Sequence, residues 1–321
     1  MFFKIILLFF LSFLSVSGYA QPAGLPQIKV AALANGTVNW ELQYIKGQQL
    51  DRKNGFELVV TQVASMSASR LALAGGTVDT IVSDWLWANE RNRQGEGLRF
   101  LPFSRQIGVL IKADGSLIAD FKDLIGKRIG VAGGPMNKGW VLLQASAKAE
   151  GIDLHKEATV QFAAPPLLSQ GLRKKQIDLL VTFWHFGAKL EAEGFERYGR
   201  LSDLMAKLGL KSDLPMLGYL FKQPFIDADP ERIRGFAIAV SEAKKQLQES
   251  DRPWKKLRPL MRVSNDQEFK ALVKGYRQGV PSPLTPHHIE DAQRFYRLID
   301  QLKTYPTGHT LDESLFIRLP L

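Results

Sequence analysis

Small polar and aromatic residues in this sequence stand directly after short apolar runs. In the stretch TIVSDWLWANE, residues 80–90, Ser83, Asp84 and two tryptophans follow a β-branched run. Small polar side chains at such positions suit the N-caps of helices. Several helix N-termini that converge on one place also present free N–H groups and positive dipole ends, which bind anions or polar head groups. For any single residue of this kind, capping alone is the simpler interpretation.

The two tryptophans of this stretch face different directions if Ser83 or Asp84 caps a helix. Trp85 and Trp87 then lie roughly 200° apart around the helix axis, so they cannot both contact one ligand. Trp85 is nearer the strand end, and we predict that it lines a cleft. Trp87 is predicted to belong to the core, and Asp84 to be a polar anchor for a ligand.

A second stretch, VAGGPMNKGW at residues 131–140, has two glycines before a polar residue and a lysine. Gly133 and Gly134 permit backbone angles and close approaches that a side chain would block. The spacing fits neither a phosphate-binding P-loop nor a dinucleotide-binding loop. Lys138 either pairs with an anionic ligand or faces solvent.

A third stretch, TFWHFG at residues 182–187, places bulky side chains where a predicted strand ends. Alternation along the strand directs Phe183 and His185 one way and Trp184 the other. These side chains either pack against the next helix or face a ligand. We expect at least one of them to contact the ligand.

Catalytic alternatives find little support in the composition. The chain has no cysteine and only five histidines, and the adjacent His287 and His288 cannot share one helix face. A nucleophile elbow of the type Gly-x-Ser-x-Gly is absent from the sequence, and no pair of carboxylates stands out for acid–base work. We therefore expect a protein that is not an enzyme and that has neither a metal site nor a cofactor.

Strands alternate with helices twice along the chain, which predicts α/β architecture in two units. Two apolar segments, at 107–112 and 216–222, are predicted to cross between the units. The first lobe is expected to hold residues 21–110 and 221–321, and the second lobe residues 111–220. Ligands of open α/β sheets bind beyond the carboxyl ends of the strands, so the ligand is expected in a cleft between the lobes.

The N-terminus predicts export. Lys4 precedes a short apolar run, and small residues stand at Gly18 and Ala20, which is typical of a signal peptide cleaved after Ala20. The run is shorter than the roughly 20 apolar residues that a membrane-spanning helix needs. The formal net charge of +10 comes from scattered basic residues. It favours acidic partners modestly, and for an exported protein nucleic acid is not expected.

From about residue 28 to residue 194 the chain resembles the periplasmic substrate-binding proteins of nitrate/sulfonate/taurine-type ABC importers, with thiamine-pyrimidine-precursor binders as relatives. The segments that carry the resemblance are IKVAALANG, SRLALAGGTVDTIVSD, GKRIGVAGGPMNKGWVLLQASAKAEGIDL and LLSQGLRKKQIDLLVTFWHFGAKLEAEG. The resemblance implies a type II periplasmic binding protein fold, two α/β lobes that close on a ligand by hinge motion. It also implies a small-molecule ligand, an inner-membrane ABC permease as partner and a periplasmic monomer.

Carried over residue by residue, the resemblance points to the polar and aromatic positions at the strand ends. They are Asn35, Thr37, Ser67, Ser83, Asp84, Trp85, Gly134, Asn137 and Trp184. Four further ligand contacts are predicted in the same loops and helices: Trp40, Lys138, Phe183 and His185.

The sequence departs from the family pattern at Asp84, Trp85 and Trp87, where small residues or proline are usual. A carboxylate beside aromatic rings suits an amine, a cation or a flat nitrogen heterocycle better than bare nitrate. The predicted ligand is therefore a small organic molecule, a sulfonate, an amine or a nitrogen heterocycle. The alternative is an exported protein of the same fold that serves as an accessory partner of a periplasmic dehydrogenase, without transport.

Overall fold

The computed structural model describes residues 24–106, 108–210, 213–301, 303 and 310–317. The expected signal peptide and its cleavage site lie outside these residues. The strands are β1 (Gln27–Leu33), β2 (Glu57–Val63), β3 (Thr80–Asp84), β4 (Leu98–Ser104), β5 (Val109–Lys112), β6 (Arg128–Ala132), β7 (Thr159–Ala163), β8 (Leu179–Thr182), β9 (Arg197–Arg200) and β10 (Leu217–Lys222).

The α-helices surround these strands. They are α1 (Val38–Gly47), α2 (Leu50–Lys53), α3 (Met66–Ala74), α4 (Trp85–Asn92), α5 (Lys138–Ala149), α6 (Leu154–Glu157), α7 (Pro165–Arg173), α8 (Trp184–Ala192), α9 (Leu201–Lys207), α10 (Gln223–Ala228), α11 (Pro230–Glu249), α12 (Arg252–Met261), α13 (Asp266–Gly279) and α14 (Pro286–Gln301). Short 3₁₀ helices occupy Lys122–Leu124 and Glu313–Leu315. None of the described helices is long and apolar enough to cross a membrane.

Two five-stranded sheets define the two lobes. In the first lobe the strand order is β2-β1-β3-β10-β4, with β1, β2 and β3 parallel and β10 antiparallel to both of its neighbours. In the second lobe the order is β7-β6-β8-β5-β9, with β6, β7 and β8 parallel and β5 antiparallel to its neighbours. The predicted α/β class with two lobes is confirmed.

The lobe boundaries predicted at residues 110/111 and 220/221 are wrong, because both fall inside strands. β5 is hydrogen-bonded to β8 and β9, so it already belongs to the second sheet. β10 is hydrogen-bonded to β3 and β4, so it belongs to the first sheet. The chain therefore passes to the second lobe after Ser104, where β4 ends, and is back in the first lobe at Leu217, where β10 begins. The apolar runs were read correctly as extended segments, but sheet membership depends on partners that are distant in sequence.

The C-terminal helices bind the two lobes together. α13 buries Leu272 and Tyr276 in an apolar cluster of the first lobe, where Tyr276 packs against Trp254 of α12. The same face of α13 meets α8 of the second lobe. A Cβ atom added at Gly275 would lie 2.4 Å from the Trp184 ring, so these helices touch with no room for a side chain.

Candidate ligand cleft

The carboxyl ends of the two sets of parallel strands face each other across the lobes. Asp84 ends β3 in the first lobe, and its Oδ1 lies 3.1 Å from Nζ of Lys138 at the start of α5 in the second lobe. Trp40 of α1 and Trp184 of α8 meet edge to face, with ring centroids 6.2 Å apart. The structure thus brings together strand ends that general α/β geometry assigns to ligand binding.

Asp84 is the centre of a charged cluster at one end of this cleft. Its Oδ1 accepts a hydrogen bond of 2.8 Å from the Trp87 N–H, so Asp84 is the N-cap of α4. Its Oδ2 lies 3.4 Å from Nη2 of Arg70, which also donates to Ser83 Oγ at 3.1 Å. With Lys138, one carboxylate faces two cations. The cluster therefore carries a formal charge of +1, which favours an anion.

Lys138 is the more deeply buried of the two cations. Its side chain is 6% exposed, against 30% for Arg70. Burial lowers the pKa of Lys138, Asp84 raises it, and the nearby Arg70 lowers it. The ammonium also donates to the Met136 carbonyl at 2.9 Å. A second anion within reach would offset the desolvation that this charge suffers.

Arg70 was not among the residues predicted from the sequence. Its guanidinium stacks on the indole of Trp87, with 4.4 Å between Cζ and the ring centroid. The position lies on α3, whereas the predictions considered the helix starts alone. The available signal was an arginine one turn into the helix that follows a strand end.

Helix N-caps hold the loops around the cleft. Asn137 accepts from the N–H groups of Gly139 and Trp140, at 2.8 and 3.1 Å, and donates to the Ala132 carbonyl at 2.8 Å. Thr37 occupies the N-cap position of α1 without a side-chain capping bond. The glycine predicted at 134 has φ of +121°, a backbone conformation that favours glycine, with no atom within 4 Å of an added Cβ.

Ser67 lies inside the first turn of α3 and is not its N-cap. That role belongs to Ser65, which accepts from the Ala68 N–H at 3.1 Å. Ser67 is exposed, as is Asn35. Their contacts with a ligand stay predictions.

The predicted roles of the two tryptophans in TIVSDWLWANE are wrong, because they are exchanged. Trp85 is fully buried and packs against Phe295 and Phe316, with ring centroids 6.0 and 6.2 Å away. Those rings belong to α14 and to the segment after it, which cover this side of α4. Trp87 is the half-buried one, and it stacks on Arg70 beside the charged cluster. The expectation that the two face different directions is correct.

An aromatic and polar lining forms the other end of the cleft. Trp184 is 7% exposed, and beside it lies a small cavity of about 10 Å³. The residues that line this cavity are Thr37, Phe103, Ser104, Gln106, Trp184, Lys244, Gly275, Tyr276, Gly279 and Val280. Trp184 therefore lines this cavity and, through its contact with Trp40, also belongs to the core between the lobes.

A buried ionic network lies behind this cavity, and it was not predicted from the sequence. Glu41 is fully buried and accepts from the Tyr219 hydroxyl at 2.9 Å, from the Tyr276 hydroxyl and from Nζ of Lys244. Burial lowers the pKa of Lys244, which Glu41 raises. Burial also raises the pKa of both tyrosines, and Glu41 raises it further. Glu41, Lys244 and the two tyrosines are far apart in sequence, so no local motif marks the network.

Phe183 and His185 stack on each other, with ring centroids 6.1 Å apart and ring planes 15° from parallel. Their side chains point to the same side, as predicted, but the cause is not alternation along a strand. The strand ends at Thr182, and α8 already begins at Trp184. Burial, with a smaller contribution from Lys189, lowers the pKa of His185 to about 3, so the imidazole is neutral at neutral pH. Its Nδ1 is buried and has no hydrogen-bond partner among the described residues.

Comparison with known proteins agrees with this architecture. A family model described as NMT1/THI5 like matches residues 103–250. This match runs from the end of β4 through the second lobe to β10, α10 and α11 of the first lobe. No curated protein sequence matches the chain at a significant level.

Solved structures extend the likeness to both lobes. The alkanesulfonate-binding protein SsuA from Xanthomonas axonopodis pv. citri, bound to MOPS, superposes with a TM-score of 0.73 at 16% identity, covering 91% of this chain and 98% of that one. The periplasmic aliphatic sulphonate binding protein SsuA from Escherichia coli gives 0.67 at 15% identity, covering 87% and 92%. The predicted resemblance is confirmed at the level of the fold, which is that of type II periplasmic binding proteins.

The same fold also occurs in an enzyme. The desulfurization enzyme DszB superposes with a TM-score of 0.58 at 14% identity, covering 90% of this chain and 97% of that one. Fold alone therefore does not decide between binding and catalysis. Among the described residues, no group of three or more His, Cys, Asp or Glu side chains could hold a metal ion.

Proposed function

We propose that this protein is a periplasmic solute-binding receptor for a small organic anion, with sulfonates as the first class to test. The observation that carries the proposal is the charged cluster in the cleft, in which Arg70 and Lys138 face one carboxylate, Asp84. Guanidinium and ammonium groups in a partly buried site attract sulfonate and carboxylate groups strongly, because little water screens them.

The same cluster argues against an amine as the ligand. Asp84 was predicted from the sequence to anchor an amine, but its oxygens already meet Lys138, Arg70 and the N–H of Trp87. A cationic ligand would have to compete with two resident cations for this carboxylate. An anionic ligand meets the excess positive charge instead.

The organic part of the ligand has an aromatic surface to contact. Trp87 lies beside Arg70, and Phe183 stacks on His185, whose imidazole is neutral. These flat, uncharged surfaces suit an alkyl chain or a ring carried by the anionic group. The name of the Xanthomonas relative, an alkanesulfonate-binding protein bound to MOPS, is consistent with such a ligand.

Delivery to an inner-membrane ABC permease completes the proposal. It is supported by the fold shared with periplasmic binding proteins and by the N-terminal sequence typical of export. Uptake of labelled ligand by cells with and without the gene tests delivery separately from binding. No observation on the structure favours the dehydrogenase-partner alternative.

The proposed ligand class is tested by a thermal-shift screen of sulfonates, carboxylates, amines and pyrimidines, followed by calorimetry on the strongest ligand. We expect stabilisation by an organic anion, and loss of binding in Lys138→Met. Lys148→Met, which removes an exposed lysine at the far end of the same helix, is the matched control and should bind like the wild type. Stabilisation by amines alone, or unchanged binding in Lys138→Met, would contradict the proposal.

A further inference from the structure

The surface of α12 and α13 concentrates the positive charge of the protein. Residues 251–278 contain eight Lys and Arg residues against three Asp and Glu residues. This balance of +5 is half of the net charge of +10, in less than a tenth of the chain. From the sequence, the basic residues were described as scattered. In the fold, those of residues 251–278 are concentrated on two adjacent helices.

The three carboxylates of the segment are already paired. Asp251 lies 2.7 Å from Arg277, Asp266 lies 2.6 Å from Arg258, and Glu268 lies 3.5 Å from Lys189. The first two pairs join the start of each helix to the end of the other, so α12 and α13 run antiparallel and side by side. They leave the remaining cations without a local counter-charge.

Six cations remain, and the five that lie within the two helices form what we call the basic face. None of them makes an ion pair with any residue in the described parts of the chain. They are Arg252, Lys255 and Lys256 on α12, and Lys270 and Lys274 on α13.

Each helix keeps these cations on the side that it turns to solvent. On α12 the exposed positions 252, 255, 256, 259 and 260 fall within an arc of roughly 140°, and Trp254, Leu257 and Met261 occupy the buried side.

Apolar groups accompany the cations. Leu260, at the end of the α12 arc, is 39% exposed. A shallow groove of about 410 Å³ runs along α13, and its lining includes Lys270, Lys274, the half-buried Phe269 and the buried Val273. A surface that combines lysines with exposed apolar side chains is typical of helices that lie on a membrane interface.

We propose that the basic face binds an anionic phospholipid surface, with the lysines on lipid phosphates and the groove taking an apolar part of the lipid. Four of the five cations are lysines, which act as hydrated point charges and suit a diffuse array of phosphates. Only one of the five is an arginine, whose planar guanidinium suits paired hydrogen bonds to a carboxylate on a protein. Adsorption of this kind acts over a Debye length of about 8 Å at physiological ionic strength and is weakened by salt. It does not depend on the proposed ligand or on transport.

The test is cosedimentation of the purified protein with vesicles. Vesicles of phosphatidylcholine alone are compared with equal mixtures of phosphatidylcholine and phosphatidylglycerol, at low and at physiological salt. We expect binding to the anionic vesicles only, weakened by salt. The variant Lys255→Glu/Lys256→Glu/Lys270→Glu/Lys274→Glu should lose it by on the order of tenfold or more, since each lysine at an anionic surface contributes separately.

A control variant separates the basic face from the total charge. Lys46, Lys122, Lys174 and Lys245 are exposed lysines elsewhere, and their change to Glu alters the net charge by the same amount. Equal losses in both variants, equal binding to both kinds of vesicle, or no vesicle binding at low salt would overturn the proposal. Binding to an acidic peptide such as poly-glutamate through the same lysines, without vesicle binding, would assign the face to an acidic protein instead. Thermal unfolding of both variants confirms that they are folded.

Discussion

Asp84→Asn should destabilise the protein more than Lys138→Met, although the two changes break the same interlobe ion pair. At 3.1 Å the gross Coulomb attraction of the pair is about 5 kcal/mol with an effective dielectric constant of 20. The difference arises from what each change leaves behind. Lys138→Met leaves Asp84 with Arg70 at 3.4 Å and with its capping bond. Asp84→Asn leaves two cations beside each other with no carboxylate between them.

The magnitudes follow from the burial of the groups. Removing the partner of a buried charge costs about 3–5 kcal/mol, and we expect Asp84→Asn in this range because Lys138 is only 6% exposed. Asparagine is a good N-cap, so the start of α4 is kept. Lys138→Met should cost roughly 1–2 kcal/mol, since Arg70 still compensates the carboxylate and methionine fills similar space. The double variant should be no less stable than Asp84→Asn alone.

Urea unfolding monitored by fluorescence and circular dichroism measures these values. The expected coupling energy between positions 84 and 138 is at least the cost of Lys138→Met alone, about 1–2 kcal/mol, which exceeds the uncertainty of a double-mutant cycle. The surface pair Lys53–Glu242, at 2.9 Å but with the lysine 65% exposed, is the control cycle and should give less than about 1 kcal/mol. Additive effects at 84 and 138, or a greater loss from Lys138→Met, would refute the described geometry of the cleft.

Three other features give further predictions. Gly275→Ala should cost roughly 1–3 kcal/mol in urea unfolding, because its Cβ would lie 2.4 Å from the Trp184 ring, whereas Gly47→Ala, with no atom within 4 Å, should be nearly neutral. His185 has its pKa lowered from 6.5 to about 3, so its protonation favours the unfolded chain. Wild-type stability should therefore fall as the pH drops from about 6.5 towards 3, and His185→Gln should show a smaller fall. Glu41→Gln should lower stability by about 3–5 kcal/mol, since the buried ammonium that it pairs with loses its counter-charge.

Local features of the fold could be predicted from the sequence. The strands that end at Asp84 and at Thr182 lie where the sequence predicted strand ends. Each strand is signalled by an apolar pattern and by the turn residues after it, and all of these lie within a few positions of one another. A capping role for Ser83 or Asp84 was predicted for the same reason, because an N-cap depends on residues two or three positions away, and Asp84 is the cap.

Features that depend on distant residues could not be predicted. Trp85 is core because Phe295 and Phe316, more than 200 positions later, cover it. Asp84 is a poor anchor for an amine because Lys138 reaches it from the other lobe. Neither partner is signalled near residue 84 itself. The spacing argument therefore fixed that Trp85 and Trp87 face apart, while the tertiary fold decided which of them is buried.

The central claim is that the cleft binds an organic anion through Arg70 and Lys138. A crystal structure of the protein with the strongest ligand from the thermal-shift screen tests it most directly. The account predicts an anionic group about 3 Å from the Lys138 ammonium or the Arg70 guanidinium, with the organic part against Trp87 or Phe183. A ligand bound outside the cleft, or a cationic group on Asp84 in place of Lys138, would contradict it.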